Sequence, residues 1–336
     1  MSAHAQEGRT RPRRAGPQPP AAAREPQPVG DEEVVKINAS EVLIPATVRD
    51  AAGRLVGSLR LTDFRVFEDG REQTLSDLSL KRVPVDVALL VDASSSVASN
   101  LEDFRRAAEG FAARLGAEDR FCLMKFDDRV ELLLDWTRSG AQLRRALARL
   151  DGGMFTRYND ALYLAAREQF RDARRRHAVV VLTDGIDSGR GGVTIERALA
   201  ELLKSQAAVY VVANTRIERD RKGAELKSLL SGSDSELQFN QPRIGDLRES
   251  LRVLDASERN LERLAEATGG RVFKPESFDA LDDVYAEVAD ELRLQYALYY
   301  TPTNGAADGT FRRVRVETRV PSYKVSARVG YFAPRR

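Results

Sequence analysis

Cysteine and histidine are scarce: Cys122, His4 and His177 are the only such side chains in 336 residues. One cysteine excludes an internal disulfide framework and any cysteine-rich zinc site, and two histidines leave little for histidine-based catalysis. A surplus of charge is lacking too, since 53 basic and 51 acidic residues leave a formal +2. That balance gives no reason to expect a nucleic-acid binder or an anionic-membrane binder. No run of 18 apolar residues occurs, because the most apolar stretches, Val85 to Val91 and Ala178 to Leu182, are bracketed by charges; nothing in the chain reads as a transmembrane segment. What remains, 42% apolar and 31% charged residues, describes a soluble globular protein. At roughly 150 residues per domain its length suggests about two domains.

Residues 1–33 hold six of the 13 prolines and five arginines without any apolar period, and read as a disordered arm or spacer. The start, Ser2-Ala3-His4-Ala5-Gln6, resembles the small-residue cleavage end of a secretory signal whose apolar h-region is missing; a chance Ala-x-Ala in an alanine-rich arm is the alternative. A proline-rich spacer fits a secreted or envelope-associated protein. From residue 34 to 82 the pattern has period two: Ile44, Ala46 and Val48 alternate with polar or turn residues, and turns fall at Asp50 to Gly53 and Glu68-Asp69-Gly70. These are strands. Residues 292–336 repeat the pattern, with Leu292 to Tyr300, Val314 to Val320 and Tyr323 to Tyr331 alternating. Neither group of strands can bury much alone, so the two ends are expected to pack as one discontinuous β-sandwich.

The middle, residues 83–291, alternates apolar strands with amphipathic helices, which predicts an inserted α/β domain with a doubly wound, mostly parallel, Rossmann-like sheet. Strands are expected at Val85 to Val91, Phe121 to Phe126, Val130 to Leu134, Ala178 to Leu182, Ala208 to Ala213 and Arg271 to Phe273. A helix ending at Gly269-Gly270 carries a glycine stop signal. Between Asn214 and Ser257 the chain is polar, with one apolar patch at Leu226 to Leu230. It reads as a long connection at the sheet edge and is expected to form part of a partner-binding rim.

Asp92, Ser94 and Ser96 leave the C-terminal end of the domain's first strand, the edge where open α/β sheets bind ligands. Spaced by two, their oxygens face one point in an extended exit, which suits a hard cation. Serines there would equally cap the following helix without any metal. Cys122 reads as a small buried hydrophobe, and Asp187 and the Asp127-Asp128 pair as solvated acids or a negative rim.

Two further elements extend the first: Gly152-Gly153-Met154-Phe155-Thr156 leading to Asp160, and Leu182-Thr183-Asp184-Gly185 closing another strand. With Asp92-x-Ser94-x-Ser96 they resemble a von Willebrand factor type A domain and its metal-ion-dependent adhesion site, or MIDAS. Met154 and Phe155 lengthen the glycine loop relative to many members. The flanks, with Asp63-Phe64-Arg65-Val66-Phe67-Glu68-Asp69-Gly70 before the domain and Gly330-Tyr331 near the end, are similar to a bacterial VWFA-related branch of acidobacterial type. The resemblance implies that Ser94, Ser96 and Thr156 bind the ion directly and that Asp92 and Asp184 act mostly through water. It further implies Mg2+, with Mn2+ or Ca2+ as alternatives, and adhesion-type binding to a protein partner that presents an acidic side chain. The expectation is a binding protein and not an enzyme. The rivals are a metal-dependent hydrolase, which would lack an obvious base, and a scaffold whose metal site is vestigial.

Overall fold

The computed structural model describes residues 41–79, 83–94, 101–170, 175–189 and 191–335. The expected arm and signal remnant at the N-terminus lie outside the described residues, as does Ser96. In chain order the elements are β1 (Val42–Arg49), β2 (Phe64–Glu68), β3 (Arg71–Gln73), β4 (Leu75–Ser79), β5 (Val85–Asp92), α1 (Leu101–Arg114), β6 (Arg120–Phe126) and β7 (Val130–Thr137). There follow α2 (Gly140–Leu147), α3 (Tyr158–Leu164), β8 (Arg176–Thr183), α4 (Ile195–Lys204), β9 (Ala207–Ala213), α5 (Thr215–Leu230), α6 (Asp234–Phe239) and α7 (Gln241–Thr268). The chain closes with β10 (Arg271–Phe273), α8 (Leu281–Arg293), β11 (Tyr296–Tyr300), β12 (Phe311–Thr318), β13 (Lys324–Ala327) and β14 (Gly330–Phe332).

The central sheet has the order β10-β9-β8-β5-β6-β7, and every neighbouring pair is parallel except β6 with β7. Its inner strands carry continuous apolar runs, Val87 to Val91, Phe121 to Met124, Ala178 to Leu182 and Ala207 to Ala213, because both faces are covered. Val87, Leu89, Val180 and Leu182 pack on one face with Phe111 of α1, Leu143 of α2 and Tyr285 of α8. Ala88, Leu90, Val179 and Val181 pack on the other with Leu162 of α3, Leu202 of α4 and Leu261 of α7. Cys122 lies fully buried in this second layer, and burial pushes its thiol well above the ordinary range. Helix α7 stops where Gly269 takes φ +80°, the left-handed cap that glycine accepts without strain.

Both chain ends contribute to each of two antiparallel four-stranded sheets, ordered β13-β1-β11-β4 and β14-β12-β2-β3. Ile44 lies opposite Leu298 in the first, and Val66 opposite Val316 in the second. Ile44, Val48, Phe64, Val66, Tyr296, Leu298, Val314 and Tyr331 from the two sheets form one apolar core. The segment 63–70 has a specific part in this closure. Glu68 is buried and its Oε2 accepts hydrogen bonds from the hydroxyls of Tyr300 and Tyr331, both at 2.8 Å, while the Asp69 side chain accepts from the Arg313 amide at 3.0 Å. One N-terminal motif thereby fastens three C-terminal strands.

Several expectations are corrected. The stretch between Asn214 and Ser257 is not a loop but α5, α6 and most of α7. Only Thr215 and Glu218 of α5 are buried, so that helix carries no apolar stripe to reveal it. Charge pairs hold it instead. Arg219 bonds Asp255 and Glu258, and Lys274 bonds Glu258 and Glu262. Against the opposing effect of burial, hydrogen bonds from Lys274, Arg219 and Thr215 hold the Glu258 carboxyl down at about 2. Leu292 belongs to the last turn of α8 and Leu294 to its cap, so the strand begins only at Tyr296, and Val320 lies in a turn. Replacing Glu68 by leucine should leave two buried tyrosine hydroxyls without an acceptor and destabilise the protein by about 2–4 kcal/mol. Urea unfolding of Glu68→Leu would measure this, and adding Tyr300→Phe and Tyr331→Phe should recover part of the loss.

Candidate functional site

Strands β5 and β8 run parallel with Val91 opposite Leu182, which sets Asp92 level with Thr183 on the same face. That register produces a bond: the Thr183 hydroxyl donates to Asp92 Oδ2 at 2.8 Å, and the Ser94 amide donates to Asp92 Oδ1 at 3.0 Å. Thr183 Oγ1 in turn accepts from the Gly185 amide at 2.9 Å. Asp92 is thus fully buried with both oxygens engaged. Asp184, 8% exposed, follows Thr183 and accepts the Ile186 amide at 3.0 Å. The turn needs a glycine at 185, because φ is +70° and a Cβ would lie 2.7 Å from the Leu261 side chain.

The glycine loop closes over this edge. The Gly153 amide donates to the Ala93 carbonyl at 2.9 Å, and Gly153 bridges to Ser94. A Cβ on Gly153 would sit 2.7 Å from that of Asp127, so the approach requires glycine. Asp128 accepts the Phe155 amide at 3.0 Å, which holds the lengthened part of the loop. Thr156 is buried, and its backbone is locked to the loop after β8: its amide donates to Ser188 Oγ at 3.3 Å, and its carbonyl accepts the Ser188 amide and hydroxyl, both at 2.9 Å. Asp187 accepts the Asn159 amide at 2.9 Å. The structure therefore gathers the segments bearing Asp92, Ser94, Thr156 and Asp184, while Ser96 lies outside the described residues.

Of the acids read as solvated, Asp128 is exposed, Asp187 half-buried and Asp127 buried. Asp127 is buried and bound to Lys125 at 3.0 Å, and Asp128 and Asp187 organise loop backbone. Thr183, Ser188 and Asp127 escaped sequence reasoning because their roles depend on which loops meet. Asn214 escaped it too, although its signal was present: it follows β9 as Asp184 follows β8. It lies one position beyond the Thr183–Ala213 pair, buried, with neither amide atom partnered among the described residues.

Burial raises the Asp92 carboxyl above its usual range against hydrogen bonds from Ser94 and Thr183. Burial, and then the charge of Asp92, pushes Asp184 up to about 7. Among the described residues neither carboxylate forms an ion pair: the Lys222 charge acts on Asp184 more weakly than burial and Asp92 do, and Lys125 is engaged by Asp127 and Asp151. Two buried, mutually repelling carboxylates beside an unpartnered amide fit a cation. Among the described residues no three His, Cys, Asp or Glu side chains converge on one point, so such an ion would rely on hydroxyl oxygens as well.

The family model for the von Willebrand factor type A domain matches residues 86–253, half of the chain. The chain belongs to this family. Type A domains are commonly metal-dependent protein-interaction modules. An uncharacterized protein of Synechocystis is 30% identical over 109 residues, and the match covers 31% of this chain and 26% of that relative. The chain thus spans about a quarter of the curated relative it matches. Among solved structures, a von Willebrand factor type A protein from Catenulispora acidiphila is 10% identical, with 88% of this chain and 73% of that one covered and a TM-score of 0.46. Proximal thread matrix protein 1 of the mussel byssus, with a zinc-occupied MIDAS motif, is 19% identical over 67% of this chain and 49% of that one, with a TM-score of 0.45. The domain of the pili tip protein Mfa5 from Porphyromonas gingivalis is 22% identical over 31% of this chain and 39% of that one, with a TM-score of 0.30.

The electrostatic conflict in this type A domain has a direct readout. Asp184→Asn keeps an acceptor for the Ile186 amide but removes one buried charge. It should raise the stability of the metal-free protein at pH 7 by on the order of 2 kcal/mol, measured by denaturant unfolding in the presence of chelator.

Proposed function

We propose that the chain is a divalent-metal-dependent protein-binding module, with Asp92, Ser94, Ser96, Thr156 and Asp184 holding the ion. The observation that carries this reading is the pair of buried carboxyls, Asp92 and Asp184, neither of which is in an ion pair among the described residues. Mg2+ suits the oxygen donors best, with Mn2+ and Ca2+ as alternatives. Bound there, the ion would supply an electrophilic centre for an outside oxygen ligand. Neutral hydroxyls from Ser94, Ser96 and Thr156 would leave most of its charge uncompensated. Thr183 and the Ser94 amide orient Asp92, and Ser188 fixes the loop that presents Thr156. The partner group that completes such a site is an acidic side chain. Met154, 78% exposed on the same loop, offers an apolar contact beside it.

Binding is favoured over hydrolysis by the position of His177. It lies near the start of β8 whereas Asp184 follows its end, a separation of roughly 20 Å at about 3.3 Å per residue. No helix of the described residues is long and apolar enough to cross a membrane. The proline-rich start and its Ala-x-Ala motif support export to the envelope or beyond.

Titration of the full chain with Mg2+ or Mn2+ in a calorimeter should give one saturable site. Asp92→Ala should weaken it at least tenfold, in line with the usual effect of losing a supporting ligand. Unchanged affinity in that variant would falsify the assignment. Capture of partners from an envelope extract should occur in magnesium and fail in chelator.

A further inference from the structure

At the opposite edge of the central sheet, below the N-terminal ends of its strands, the protein buries a cation to which no described residue gives a counter-ion. Arg328, between β13 and β14, is 4% exposed. One guanidinium nitrogen, Nη2, donates to the Leu43 carbonyl at 2.6 Å, while Nε and Nη1 are buried with no hydrogen-bond partner among the described residues. A buried guanidinium with two idle nitrogens is costly, because neither water nor a carboxylate replaces its lost hydration. Its residual contact is with the Tyr331 ring, 5.9 Å from the centroid, and burial lowers its pKa to about 10.

Arg328 lines a cavity of about 140 Å³ together with Arg175, Arg176, His177 and Lys204, and among the described residues no Asp or Glu lines it. That volume admits a few waters or one small oxyanion. Part of the positive charge has other employment. Arg175 is bound to Asp86, Arg176 donates to the carbonyls of Val83 and Leu292, His177 contacts the Ser205 carbonyl, and Lys204 pairs with Glu201. Helices α4 and α7 both end nearby, and their C-terminal carbonyls favour cations. None of these carbonyls reaches Nε or Nη1 of Arg328.

We propose that this cavity binds a small oxyanion of the phosphate or sulfate class, with Arg328 as its buried anchor and Lys204, half exposed, at its mouth. Charge-assisted hydrogen bonds from a guanidinium to such an anion are among the stronger polar contacts in proteins. Arg328 belongs to the β-sandwich, whereas His177 and Lys204 belong to the α/β layer. The ligand would therefore join the two halves at a seam where the Val329 amide already donates to the Ala267 carbonyl at 3.0 Å. The site stands apart from the proposed metal site, so the two can be tested separately.

Calorimetric titration of the chelator-treated full chain with inorganic phosphate, with sulfate and with chloride at matched ionic strength tests this. Saturable one-to-one binding of phosphate or sulfate, and none of chloride, is expected. Arg328→Met should abolish it, Lys204→Ala on the surface should weaken it at least threefold, and Asp92→Ala should leave it unchanged. Absence of saturable binding of both oxyanions would overturn the proposal. So would wild-type affinity in Lys204→Ala, a readout that holds even where Arg328→Met does not fold, or loss of binding in Asp92→Ala.

Discussion

Burial of both faces of the parallel sheet is the constraint from which the rest of the architecture follows. Once β5, β8 and β9 are apolar on both sides, polar residues can appear only at their ends, and parallel strands put all like ends on one edge. Asp92, Thr183, Asp184 and Asn214 occur at that edge for this reason. The register then decides their partners, since setting Asp92 level with Thr183 is what gives the carboxylate its hydroxyl.

The same edge carries a conflict between stability and function. Thr183, Ser94 and Ile186 supply hydrogen bonds to the two carboxylates but no positive charge. Asp127, the next acid along, shares Lys125 with Asp151. A fold optimised for stability alone would pair Asp184 or neutralise it. Two carboxyls held in a buried, preorganised pocket suit the proposed ion, whose ligands would not need to be gathered at the moment of binding.

The β-sandwich shows how distant segments become one unit. Neither terminal group of strands has a face large enough to fold alone, and the pairing of β1 with β11 and of β2 with β12 closes the core around Phe64, Tyr296 and Tyr331. Glu68 converts that apolar closure into a specific one, because two tyrosine hydroxyls from different strands must meet a single carboxylate oxygen. The seam with the α/β layer is polar by contrast. Arg49 of β1 bonds the buried Glu291 of α8, and Gly269 leaves no room for a Cβ against the Arg328 backbone.

Local pattern was enough for whatever rests on burial of whole elements. Continuous apolar runs announced the inner strands, period two announced the terminal ones, and the order of Asp92, Ser94, Thr156 and Asp184 along the chain pointed to one edge. The pattern was silent on α5, whose exposed faces are held by Arg219, Asp255, Glu258 and Lys274 and not by an apolar stripe. It also misjudged Asp127, because an acid beside a strand end looks the same whether solvated or buried against a lysine. Those outcomes, and the isolation of Arg328 between two layers, depend on side chains far apart in sequence meeting in space. Sequence by itself determined which segments must be buried and in what secondary structure, since periodicity is a local property. Only tertiary structure decided which polar groups were left with partners and which without, because hydrogen bonds and charges are satisfied by whatever the packed layers bring within about 3 Å.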